Sequence, residues 1–299
     1  MSVRPAHVLQ ALILAALLGL ASVPVRADVS GTVTILEGDA SIIRGAGRLH
    51  AAEGVRLQPG DIVHAGPGSL LQVELPDRVV AQLGPQARAL FGGAGGRAEP
   101  VLYLLDGWLK LTRPRREGGA LAALELRGLL ADLPPADSVV VLHAGQASLE
   151  LFVERGEQRV VERGTGAVHV LKANDFYRRK SGSASALNPA GGLKALVQAM
   201  PQGFRDTLPL RAQRFAEKPV APRAAPDFGY DDVADWLHAE PGMRKSFVQR
   251  WRVKSRNPAF RAALIANLPA HPEWDPVLFP EKYLPKPASS PRGSQASLR

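Results

Sequence analysis

Between residues 29 and 179, apolar and polar positions alternate in short runs. Thr32-Val33-Thr34-Ile35, Leu71-Gln72-Val73-Glu74-Leu75 and Ser148-Leu149-Glu150-Leu151-Phe152-Val153 all carry a period of two. That period sends one side of a strand into a core and the other into water. Glycine-containing turns recur about every ten residues, the spacing of an all-β sandwich, barrel or solenoid. The region also repeats itself. Leu36-Glu37-Gly38-Asp39-Ala40-Ser41-Ile42 returns as His143-Ala144-Gly145-Gln146-Ala147-Ser148-Leu149, with a shorter echo at Leu105-Asp106-Gly107-Trp108-Leu109. Downstream, Leu57-Gln58-Pro59-Gly60-Asp61-Ile62 is matched by Leu171-Lys172-Ala173-Asn174-Asp175-Phe176. Each unit reads strand, tight turn, strand, with Gly or Asn where a positive φ is needed. Stacked repeats of this kind point to a solenoid, and their imperfection keeps a sandwich open.

The pattern changes after residue 180. Ser181-Gly182-Ser183-Ala184-Ser185 reads as a flexible joint and residues 219–226 (PVAPRAAP) as a stiff, extended linker, with one short amphipathic helix over 193–200 between them. From 227 to 284 the apolar spacing becomes helical. Val233, Trp236 and Leu237 form one stripe, Met243, Phe247 and Trp251 a second, and Phe260, Leu264 and Leu268 a third. Asp231 and Asp232 suit a first turn, and Asn257-Pro258 reads as a cap followed by proline at the first helical position. Three helices of this size make a marginal core on their own, so docking onto the β region is expected. Residues 285–299 are Pro/Ser-rich and expected to be disordered.

The N-terminus begins with Arg4 and His7, followed by an apolar run over residues 8–23 and then Pro24-Val25-Arg26-Ala27. Positive start, short apolar core and small residues at −3 and −1 predict a cleavable secretory signal over 1–27, cut after Ala27. The run holds Gln10 and is shorter than the roughly 20 residues of a membrane span. The expected product is therefore periplasmic, with no transmembrane span after cleavage. Cysteine is absent from the chain, which excludes disulfides, thiolate metal sites and thiol nucleophiles. The net charge of +9 predicts acidic neighbours: an envelope protein, or an anionic polymer or lipid surface. Export argues against nucleic acid.

The motifs of catalysis do not occur. The seven histidines are isolated, and there is no H-E-x-x-H, G-x-S-x-G, phosphate loop or dinucleotide fingerprint. No metal site and no cofactor is expected. The glycine run over 92–96 lacks a following helix with lysine and reads as a connection. Asp61 and His64 lie three residues apart, and the plainer reading of Gly60-Asp61 is a turn whose carboxylate binds backbone amides. The concentrated feature is basic: Arg244, Lys245, Arg250, Arg252, Lys254, Arg256 and Arg261, with Trp251 and Phe260 interleaved and no acid among them. Arginine forks hold phosphate and carboxylate groups bidentately, so these seven are the candidate ligand- or partner-binding residues. A solvated face over a helical core is the alternative.

The march Gly31-Thr32-Val33, Gly38-Asp39-Ala40, Leu57-Gln58-Pro59-Gly60-Asp61-Ile62, Gly66, Gly68-Ser69, Asp77 and Leu83-Gly84-Pro85 resembles the FecR domain, over residues 29–179. The resemblance gives Gly38, Gly60, Asp61, Gly66 and Gly84 as the family's turn residues. It departs at His64-Ala65-Gly66, where threonine-glycine is usual, and at Pro76-Asp77-Arg78, in place of an aspartate-glycine turn. FecR regulators carry a cytoplasmic anti-sigma segment before a membrane anchor, whereas only a few residues precede the apolar run here. The resemblance implies an extracytoplasmic sensing or binding domain without implying sigma-factor control.

The expectation is a mainly β chain: a FecR-like β-solenoid or sandwich over 28–180, a linker over 181–226 and a small three-helix module over 227–284. Its expected function is non-catalytic binding in the envelope. The alternatives are a periplasmic component of a transmembrane sigma/anti-sigma system and a wall- or polysaccharide-acting enzyme.

Overall fold

The structure is a computed structural model that describes residues 30–92, 101–115 and 118–284. The expected signal peptide with its cut after Ala27, residues 93–96 of the glycine run, and the tail over 285–299 lie outside the described residues. Among the described residues no helix is long and apolar enough to cross a membrane.

The alternating segments become β1 (Gly31–Glu37), β2 (Ala40–Arg44), β3 (Gly47–His50), β4 (Arg56–Leu57), β5 (Asp61–Ala65), β6 (Leu70–Glu74), β7 (Val80–Leu83) and β8 (Arg88–Phe91). They continue as β9 (Val101–Arg113), β10 (Glu125–Gly128), β11 (Ala131–Leu133), β12 (Ser138–Gly145), β13 (Ser148–Glu162), β14 (Val168–Lys172), β15 (Phe176–Lys180) and β16 (Ala186–Leu187). Of the two architectures expected, the chain takes the sandwich. A front sheet runs β4-β1-β6-β7-β9-β12-β13-β15-β16. A back sheet runs β3-β2-β5-β8-β9-β10-β11-β13-β14. The long strands β9 and β13 belong to both, the first half of β9 pairing in the back sheet and its second half in the front.

Two glycines make that crossing possible. Gly107 in β9 has φ 89° and Gly156 in β13 has φ 78°. A Cβ at Gly107 would stand 2.5 Å from Ala87 Cα, and one at Gly156 2.1 Å from Asp137 O, so both the bend and the close approach require glycine. The bend also changes which parity faces the core. Before it, Leu102 and Leu104 point between the sheets; after it, Leu109 and Leu111 do. The intervening Tyr103 and Leu105 face outward from the back sheet and Trp108 from the front, under other elements. This accounts for a segment that reads as nearly continuous apolar sequence: it is buried on both faces.

The repeated turns share their geometry. Gln58 N–H donates to Asp61 Oδ2 (2.9 Å) and Lys172 N–H to Asp175 Oδ2 (2.8 Å). Gly60 (φ 88°) and Asn174 (φ 73°) fill the left-handed position in each. Both turns carry the chain from one sheet to the other. Asp61 is 1% exposed in its side chain and also holds Arg44, through Nε–H to Oδ1 at 3.0 Å and Nη2–H to Oδ2 at 2.6 Å. Gly38 and Gly66 close on Ser69, and Gly84 packs on Trp108.

The C-terminal region packs against the outer face of the back sheet. Ile43, Ile62, Leu90, Tyr103 and Leu105 from the sheet share one apolar cluster with Tyr230, Trp236, Phe247, Trp251 and Phe260. Docking is thus how this small helical unit completes its core. Residues 181–226 are laid on the sandwich rather than extended away from it. They include α1 (Gly192–Ala199) and, at β17 (Arg223–Ala224), an antiparallel pairing with β3. The helices that follow are α2 (Ala234–Leu237), α3 (Pro241–Arg250), α4 (Pro258–Ala266) and α5 (Asp275–Leu278). Asn257 caps α4 as its sequence predicts, accepting from Phe260 N–H at 3.1 Å. The first helix starts later than expected, so Asp235 and not Asp231 or Asp232 lies in its first turn.

Candidate functional site

Two cross-strand rows of side chains form the outer face of the front sheet. In one, Gln72 lies opposite Gln82, which lies opposite Lys110. In the next, Glu74, Val80, Thr112, Val139 and Arg155 follow one another across β6, β7, β9, β12 and β13. Strand alternation brings these polar residues outward while Leu71, Val73, Ala81, Leu83 and Leu111 fill the core.

A strap over residues 201–212 crosses this face. Its Phe204 is buried with Leu70, Trp108, Val141, Phe176 and Leu196. Lys110 Nζ donates to Phe204 O (2.6 Å) and Gln72 Nε2 to Pro209 O (3.0 Å). The Glu74 carboxylate accepts from Arg211 N–H (2.6 Å) and Ala212 N–H (3.2 Å). Phe204 and the partly buried Leu208 anchor the strap by side chain, and the polar contacts are to its main chain.

Beside the strap lies an open groove of about 600 Å³. Val80, Gln82, Thr112 and Val139 line it, together with Lys110 and Glu154, which form an ion pair at 2.8 Å. Residues 206–208 and Leu210 form its strap side, and Arg78 and Arg155 are its exposed cations. The Gln82 side chain makes no hydrogen bond among the described residues and its amide opens onto the groove, whereas Gln72 Oε1 is buried without a partner. Buried amide oxygens are ordinarily paired, so Gln72 Oε1, beside the unbonded Gln82 amide, calls for a reason. Arg78 is also conformationally unusual. Asp77 (φ 59°) and Arg78 (φ 60°) occupy consecutive left-handed positions in the β6–β7 connection, where Asn-Gly or Asp-Gly is the easy choice. A non-glycine residue there costs about 1–2 kcal/mol.

The seven basic candidates divide by environment. Arg250 is turned into the domain: Nε donates to Gly45 O (3.0 Å), Nη1 to Gly60 O (2.5 Å) and Nη2 to Ile43 O (2.7 Å). Burial lowers its pKa to about 10, with Asp61 opposing. Lys254 is ion-paired with Asp227 and lies 3.9 Å from the Phe228 ring centroid. Arg244 holds Glu273 (3.0 Å) and Ala270 O (2.8 Å), and Arg261 donates to Leu278 O. Lys245, Arg252 and Arg256 are exposed. The cluster seen in the sequence is therefore four internal ties and three surface cations.

Asp61 and His64 face opposite sides of β5. Asp61 holds Arg44, and His64 Nε2 accepts from Trp236 Nε1–H (3.0 Å) across the contact between sandwich and helices. The two ring planes are parallel to within 2°, with centroids 6.5 Å apart, so the hydrogen bond runs edge to edge. Burial, then Arg88 and Arg48, lower the His64 pKa to about 3, so the ring is neutral and fixed as an acceptor. Another suggestive trio occurs near the end of β13. Ser185 Oγ (3.4 Å) and Glu162 Oε1 (2.8 Å) both meet His169 at the same nitrogen, Nε2. A relay from acid to nucleophile uses both ring nitrogens, so this trio is not one. Burial pushes the Glu162 pKa up, but hydrogen bonds from Ser185, Thr165, Tyr177 and His169 outweigh it and bring it down to about 2. No cluster of three or more His, Asp or Glu able to hold a metal occurs among the described residues.

No protein-family model matches the chain, and no curated protein matches it. Two crystal structures from Parabacteroides distasonis ATCC 8503, described as a "putative anti-sigma factor", superpose in part, each with 18% sequence identity. Their TM-scores are 0.36 and 0.37, and each alignment covers 46% of this chain. It also covers 64% of the other chain, so the match falls short of two thirds of those structures' length.

Proposed function

We propose that this chain is a non-catalytic binding protein of the cell envelope, and that its ligand or partner is held in the front-sheet groove beside the strap. The observation that carries this reading is the groove's floor. The Gln82 side chain, facing the groove and without a hydrogen-bond partner among the described residues, is set between Gln72 and Lys110, which already hold main-chain carbonyls. Strain at Arg78, on the groove's margin, fits the same reading, since unfavourable backbone conformations persist where function uses them. The non-catalytic part is supported by the separation of Asp61 from His64 and by the single nitrogen shared in the His169 trio. Lys245, Arg252 and Arg256 supply a second, electrostatic contact with anionic polymer, lipid or protein, one that weakens with salt.

Photo-crosslinking tests the assignment. A photoreactive residue is placed at Val139 in the groove or at Arg252 on the basic face, and each protein is irradiated in envelope extract. A discrete adduct from Val139 that disappears with Gln82→Lys is expected. Adducts from Arg252 alone, or a Val139 adduct indifferent to Gln82→Lys, would overturn it.

A further inference from the structure

The groove lies next to a polypeptide that the same sheet face already binds. Three outward side chains meet the strap's main chain: Lys110 a carbonyl, Gln72 a carbonyl and Glu74 two amides. Gln82 stands in the row between Gln72 and Lys110, its side-chain amide open to the groove and without a hydrogen-bond partner among the described residues. One row further, Thr112 offers a hydroxyl between the apolar Val80 and Val139. A donor–acceptor amide, a hydroxyl and small apolar flanks suit a peptide backbone with alternate side chains turned down. Sugar rings would call for an aromatic platform, and the described residues lining the groove include none.

Charge narrows the occupant. Lys110 and Glu154 neutralise each other, which leaves exposed Arg78 and Arg155 set against Asp206. Arg78 precedes β7 and Arg155 lies on β13, three strand steps away through β9 and β12. At about 4.8 Å per step, and with Arg78 two positions beyond Val80 in that row, these cations are separated by about 16 Å, which an extended chain covers in about five residues.

We infer that the groove binds an extended polypeptide segment of a partner, main chain against Gln82 and Thr112, with two acidic side chains about five residues apart for Arg78 and Arg155. This rests on the reading of the groove as the binding site. The test is selection of a random twelve-residue peptide phage library on the immobilised chain, followed by fluorescence anisotropy with the selected peptides in soluble form. Paired Asp or Glu at that spacing is expected. Affinity should fall about fivefold to tenfold with Gln82→Ala, and the acid preference should vanish with Arg78→Ser and Arg155→Ser together. Melting curves establish that each variant is folded. If no selected peptide depends on these residues while the Val139 adduct persists and resists protease, the groove binds something other than polypeptide and this inference is overturned. If the Val139 adduct also fails to depend on Gln82, the binding-site reading falls with it.

Discussion

Acidification should loosen the helical region from the sandwich through one residue, His64. Its ring accepts a hydrogen bond from Trp236 Nε1–H at 3.0 Å, and its pKa lies near 3 against 6.5 in the unfolded chain. A lowered folded pKa means that the unfolded chain takes up the proton first, so stability is full above pH 6.5 and falls as pH drops toward 3. Between pH 7.5 and 4.5 the loss from this group alone is about 2.7 kcal/mol, from two pH units at about 1.36 kcal/mol each. The protonated ring also places an N–H where the indole N–H already points. The assay is urea unfolding at pH 7.5 and 4.5, followed by tryptophan fluorescence, for the natural chain and for His64→Gln. Glutamine can still accept from Trp236 but does not titrate in this range. His271, also lowered by burial, contributes equally to both proteins and cancels in the comparison. The natural chain should lose about 2.7 kcal/mol more than the variant over that interval. Parallel pH profiles for the two proteins would refute the reasoning.

Gly107→Ala and Gly156→Ala should each destabilise by more than about 2 kcal/mol, because both need positive φ and both abut backbone; loss of soluble yield or a large drop in melting temperature checks this. Arg113 is fully buried, its pKa lowered to about 10 by desolvation, and it donates to Leu133 O (3.4 Å), Pro134 O (3.0 Å) and Gln158 Oε1. Arg113→Ala should cost about 3 kcal/mol in denaturant unfolding, since these acceptors lose their donor. Arg250→Ser should destabilise by about 2–4 kcal/mol, as three carbonyls lose a charged donor. Lys245→Ser, Arg252→Ser and Arg256→Ser combined should leave melting unchanged and lower retention on anionic vesicles at low salt. Arg78→Gly should stabilise by about 1 kcal/mol by relieving the left-handed strain while weakening groove binding, read by melting and by peptide anisotropy.

Local patterns reached far along this chain. The period of two in β6 and β13, the stripe Met243, Phe247 and Trp251, the Asn257 cap and the paired turns at Asp61 and Asp175 are short-range devices, set by backbone geometry and by neighbours a few residues away. The choice between solenoid and sandwich was not of that kind. It turns on Gly107 and Gly156, where one bend in each long strand reverses which side chains face the core, a consequence visible only once two sheets exist to share the strand. The basic cluster shows the same limit. Seven cations look alike in sequence, but contact with Gly45, Gly60 and Asp227 makes Arg250 and Lys254 internal ties and leaves Lys245, Arg252 and Arg256 outside. His64 meets Trp236 across 172 positions, and Gln72 meets Pro209 across 137. No periodicity encodes such pairs, because their energy exists only after remote segments are brought together. The sequence alone determined the strands, the turns, the helical stripes and the absence of cysteine chemistry; tertiary packing decided which polar side chains are spent holding the fold and which line the groove.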